Sequence, residues 1–69
     1  MGVQSVIIEK KFFSLKEAKE WILSHGYYIF KIDETKNYYR FRQQDPSRYK
    51  HYFTKNVAKG VDFIIGYNS

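Results

Sequence analysis

The spacing of hydrophobic positions predicts one helix among several short strands. Residues 3–12 begin β-branched and apolar and turn charged at Glu9-Lys10-Lys11, which predicts a strand with a solvated end. Residues 14–26 carry the helical signal. Leu15, Ala18, Trp21 and Ile22 form one apolar stripe. Ser14 followed by Glu17 makes a capping box, and Phe13 and Ala18 occupy the staple positions. Gly26 is placed to supply the left-handed residue that ends the helix.

Beyond Gly26 the period falls to two. Residues 27–33 alternate as a strand, with Tyr28, Phe30 and Ile32 on one face and Tyr27, Ile29 and Lys31 on the other. The polar run from Asp33 to Asn37 suits a hairpin turn. Residues 38–44 alternate again, with Tyr39 and Phe41 directed to the core and Tyr38, Arg40, Arg42 and Gln44 outward. Asp45-Pro46-Ser47 breaks that strand. Residues 48–54 predict a further strand, with Tyr49, His51 and Phe53 on one face and Arg48, Lys50 and Tyr52 on the other; 55–60 read as a connection. Residues 61–67 are nearly continuously apolar, which predicts a final, central strand. The expected fold is α+β: one domain over 1–69, with one helix packed on a small antiparallel sheet in the order β-α-β-β-(β)-β.

Composition explains how so short a chain builds a core. A domain of this size buries only about 60% of the surface its unfolded chain exposes. It contains no cysteine, so neither disulfides nor Cys-based metal staples assist. Seven Tyr, six Phe and one Trp among 69 residues supply large area per side chain instead. No apolar run reaches the roughly 20 residues of a membrane span. The first residues show neither a secretory signal nor a myristoylation pattern, since Val6 stands where Ser or Thr is needed. The expectation is a soluble protein that stays where it is made, inside the cell.

Charge changes the picture most. Residues 1–35 balance five Lys against five carboxylates, whereas residues 36–59 set seven Lys and Arg against Asp45 alone, a net +6. The same stretch holds Tyr38, Tyr39, Phe41, Tyr49, Tyr52 and Phe53. Interleaved cations and aromatic faces are what a nucleic-acid strand needs: cations neutralise phosphates, and rings stack on bases without demanding a sequence. Arg40 and Arg42 are the expected principal phosphate contacts, Arg48, Lys50 and Lys55 the secondary ones, and Tyr38 and Tyr52 the stacking residues. Lys50 and Tyr52 extend the patch if their strand is adjacent. Two other readings fit the same stretch. It is a docking face for a protein partner, or it is solvated cover for a sheet face that one helix leaves bare.

Catalytic patterns are absent from the sequence. His25 and His51 have no carboxylate cluster at metal-ligand spacing, and no serine lies in a nucleophile elbow. Asp33, Glu34, Glu17 and Glu20 read as solvated charge, and Gly60 and Gly66 make no phosphate-cradling loop. The expectation is a protein that is not an enzyme and uses no cofactor and no metal.

One resemblance covers nearly the whole chain. Its elements are Phe13-x-x-x-x-Ala18-x-x-Trp21-Ile22-x-x-His25-Gly26, then Lys31-x-Asp33-Glu34-Thr35, then Tyr39-Arg40-Phe41-Arg42-Gln43-x-x-Pro46, and Lys59-Gly60-Val61 with Ile65-Gly66. The pattern resembles a small domain of bacteriophage and large DNA-virus proteins, for which no catalytic residues are defined. In phages similar segments stand near capsid-maturation proteins. The resemblance implies a virion, assembly or genome-associated role, in the virion or in the host cytoplasm or nucleus.

Overall fold

The computed structural model describes residues 1–68. Strand β1 (Gly2–Glu9) leads through a turn into helix α1 (Leu15–Ser24), followed by β2 (Ile32–Glu34), β3 (Tyr38–Arg42), a 3-10 turn at Pro46–Arg48, β4 (His51–Ala58) and β5 (Val61–Tyr67). The five strands form one antiparallel sheet in the order β2-β3-β1-β5-β4. The expected α+β class, one helix on a small antiparallel sheet, is the architecture found.

The helix forms where its caps predict. Ser14 Oγ accepts from Glu17 N at 3.2 Å, and the Glu17 carboxylate accepts from Ser14 N at 2.9 Å. Gly26, at φ 79°, lets the chain turn back so that Tyr27 N reaches Ile22 O and Gly26 N reaches Leu23 O. That pair of bonds satisfies the last helical carbonyls and aims Tyr27 into the core. Ala18 and Ile22 are fully buried, whereas Leu15 is exposed. Their partners lie on one sheet face: Val6, Ile8, Phe41 and Val61 are fully buried, with Tyr39 and Phe63 packed against them. Cross-strand register puts these residues opposite one another, Val6 between Phe41 and Phe63, and Ile8 between Tyr39 and Val61. Tyr39 and Phe41 thus face the core as the alternation predicts.

Three expectations are corrected. Residues 27–31 are not a strand. The helix-ending turn and the side chain of Gln43 take their backbone groups: Gln43 Oε1 accepts from Tyr28 N at 2.7 Å, and Gln43 Nε2 donates to Tyr28 O at 2.9 Å. A bend at Phe30-Lys31 then shifts the phase, so Tyr27, Ile29 and Ile32 pack against the core while Tyr28 and Phe30 stand exposed. Residues 48–50 are not a strand either. Asp45 caps a short turn by accepting from Ser47 N at 2.8 Å, and pairing starts at His51. It runs on to Ala58, so the expected connection over 55–60 shrinks to the turn at Lys59-Gly60. Finally, β5 is interior as expected, but the middle strand is β1, and β3 and β4 are separated by both of them.

The face away from the helix is built differently. A bulge between Val3 and Ser5 allows Gln4 and Ser5 both to reach Arg40. Tyr49 crosses this face above Gly2 and Gly66. A Cβ at position 66 would overlap the Tyr49 ring, which explains why a glycine stands in an interior strand there.

Candidate functional site

The residues expected to grip nucleic acid do not form one patch. Tyr38, Arg40 and Arg42 lie on β3 and point to the face away from the helix, opposite Glu9, Ile7 and Ser5. Tyr52 lies on the same face of β4, opposite Gly66, and its ring meets Tyr49 edge-on at 6.2 Å. Three inter-strand steps, about 14 Å, separate β3 from β4. Arg48 and Lys50 sit in the turn before β4, where Asn68 binds the Lys50 N–H at 2.8 Å. Lys55 is opposite Phe63 and so belongs to the helix-side face. The residues expected at the patch therefore divide among three places, and because β3 and β4 are not adjacent, Lys50 and Tyr52 do not extend it.

Arg40 is half-buried and tied down. Its Nε donates to Ser5 Oγ at 3.2 Å and its Nη2 to Gln4 Oε1 at 3.1 Å. Ser5 Oγ donates to the same Gln4 oxygen at 2.8 Å, and Gln4 Nε2 donates to Gln44 O at 2.9 Å. Both Gln4 and Ser5 are buried, so the Arg40 guanidinium closes a polar network whose members have little access to water.

Arg42 stands in a different setting. It lines a cleft of about 200 Å³ with Tyr28, Phe30, Lys31, Gln43, Gln44 and Asp45. Its Nη2 lies 3.7 Å from the Asp33 carboxylate, a long contact. Two buried polar atoms have no hydrogen-bond partner among the described residues, Arg42 Nε and Gln44 Oε1, and both residues line this cleft. Phe30 is 84% exposed and stacks on Tyr28, with centroids 5.7 Å apart and planes 21° from parallel. The backbone N–H and then the hydroxyl of Ser47 hold the Asp45 carboxyl below its ordinary value. The cleft thus offers an exposed pair of rings beside two cations and one carboxylate.

Tyr28, Phe30 and Lys31 were not expected at a site. The signal for them lies in the sequence all the same. Both faces of the 27–33 alternation are apolar, and one helix cannot cover both. Some of these rings had to remain outside. Among the described residues no group of three His, Cys, Asp or Glu is placed to hold a metal ion, and no helix is long and apolar enough to cross a membrane. Comparison of the chain with protein-family models, with curated proteins and with solved structures finds no match.

Proposed function

We propose that this is a small, non-enzymatic accessory protein of the viral type that binds single-stranded nucleic acid weakly and without strong sequence preference. The cleft between the 28–31 segment and the end of β3 is its contact point. Phe30 and Tyr28 provide the stacking surface, and Arg42 and Lys31 receive the backbone phosphates. One observation carries the reading: Phe30 is 84% exposed and already stacked on Tyr28, beside Arg42 and Lys31. A large ring held in solvent is an unfavourable surface that base stacking would cover. The Arg42 side chain is 38% exposed and holds the Asp33 carboxylate only at 3.7 Å, so its guanidinium end can turn to a phosphate oxygen.

The test is fluorescence anisotropy with labelled single-stranded and duplex oligonucleotides at low salt. Binding to single strands should weaken by about 1–3 kcal/mol in Phe30→Ala, the usual loss for one stacked base. Asp33→Asn, which removes the carboxylate facing Arg42, should tighten it. Binding absent at low salt, or indifferent to Phe30→Ala and Arg42→Ala, overturns the proposal. A protein-docking role is the second reading, favoured by the exposed outer strand β4.

A further inference from the structure

The sheet has two edges, and they are treated differently. At one end, β2 has only three residues, two of them the carboxylates Asp33 and Glu34, and the 28–31 segment crowds its start. Short length and charge are the usual protections of an edge strand. At the other end, β4 runs for eight residues and is exposed on every one from His51 to Val57. It contains no proline, a single charge at Lys55, and a bulge only at its far end, between Asn56 and Ala58. Tyr52, Phe53 and Val57 are each about 40% exposed along it. Nothing among the described residues covers its outer backbone groups, so this is an open template for a further strand.

We propose that β4 pairs with β4 of a second copy of this chain, antiparallel about a two-fold axis through Thr54, to give a continuous ten-stranded sheet. The strand's own sequence selects this occupant. An axis perpendicular to the sheet keeps each face continuous, so opposed residues must have numbers of the same parity. The exposed run His51–Val57 has Thr54 at its midpoint. Centred there, Thr54 meets the partner's Thr54, Tyr52 meets the partner's Asn56, and Phe53 meets the partner's Lys55, with the bulge at Val57 ending the regular register. Tyr52 and Phe53, the exposed rings of the regular part of the strand, each gain a neighbour. Each Lys55 ammonium comes to rest by a Phe53 ring, an attractive arrangement, and Thr–Thr is a favourable cross-strand pair. Centring on Lys55 would instead set two ammonium groups face to face. Pairing a foreign strand would meet none of this built-in complementarity.

The proposal does not rest on nucleic-acid binding, because the cleft at Phe30 lies at the other end of the sheet and the test uses no oligonucleotide. Sedimentation equilibrium of the free protein from micromolar to millimolar concentration should show the 8.4 kDa monomer passing to a species of twice that mass. Thr54→Lys sets like charges on the axis and should raise the dimer dissociation constant roughly tenfold or more. Circular dichroism of the variant should match that of the parent chain, since position 54 is exposed. In a chain without cysteine, Thr54→Cys should form a covalent dimer under mild oxidation with copper-phenanthroline, whereas Asn56→Cys, facing the partner's Tyr52, should not. A strict monomer at millimolar concentration overturns the proposal. So does a dimer indifferent to Thr54→Lys, or one cross-linked as readily through position 56.

Discussion

The guanidinium of Arg40 and that of Arg42 leave one strand on the same face, yet only one of them is free to meet a ligand. Arg40 donates to Ser5 and to Gln4, both buried, whereas Arg42 lines the cleft with a loose carboxylate contact. The two alanine variants should separate accordingly. Arg40→Ala removes a donor from buried acceptors and should cost about 1–3 kcal/mol in urea unfolding. Arg42→Ala should change stability by less than about 0.5 kcal/mol and lower oligonucleotide affinity instead. Equal stability losses in both would mean that Arg42 also holds the fold. Gly66 supplies a second test at this scale. Gly66→Ala drives a Cβ into the Tyr49 ring and should lower the melting temperature, and Tyr49→Ala in the same chain should restore much of the loss. A sequence can place Arg40 and Arg42 on one face by counting to two. It cannot show that a bulge at Gln4 turns two polar side chains toward one of them, because bulges are set by pairing with strands far along the chain.

Elements defined by local bonds were the most legible. The capping box and the Gly26 turn each involve residues within five positions, and both hold, as does the apolar stripe at Ala18 and Ile22, though Leu15 at its start is exposed. The 27–31 segment alternates correctly and still fails to pair, because Gln43, fifteen residues on, takes the Tyr28 backbone groups. β4 begins three residues late because Asp45 captures Ser47 locally. The cap also carries a pH dependence. Glu17 is held below its ordinary value of 4.5, first by the Ser14 backbone N–H and then by the Ser14 hydroxyl. A carboxyl lowered in the folded state contributes stability that is complete above its unfolded value and lost as pH falls through the folded one. Asp45, lowered from 3.8, works in the same direction. The melting temperature should therefore be level near neutrality and fall below about pH 4.5. Ser14→Ala should cost about 1 kcal/mol at pH 7, and Glu17→Gln, which removes the titrating carboxyl, should flatten the acid limb. An acid limb unchanged in that variant would place the titration elsewhere.

For the molecule as a whole, the sequence shows a +6 stretch but not its division in space. The order β2-β3-β1-β5-β4 sends its two basic strands to opposite sides of the sheet, and Lys55 faces the helix side. Strand order depends on which long-range pairings bury the most surface, and a single sequence does not state it. The division has a measurable consequence. A protein that releases counterions from Z phosphates of a single strand loses log affinity against log salt with slope about −0.7Z. Contact through Arg42 and Lys31 alone corresponds to a slope of about −1.4, whereas all six net charges acting on one strand would give about −4. A titration across salt should therefore find the shallow value, made shallower by Arg42→Ala and unaffected by Lys55→Ala. Phe30→Ala should lower affinity at every salt concentration without altering the slope, because stacking releases no counterions. A slope near −4 would mean that the strand wraps the sheet edge from β3 to β4 and that the separated cations act as one surface after all. A dimer joined through β4 adds a further reading at this scale. It puts two clefts at the far ends of one long sheet, so an oligonucleotide long enough to reach both should bind more tightly than its halves, and only above the concentration at which the dimer forms.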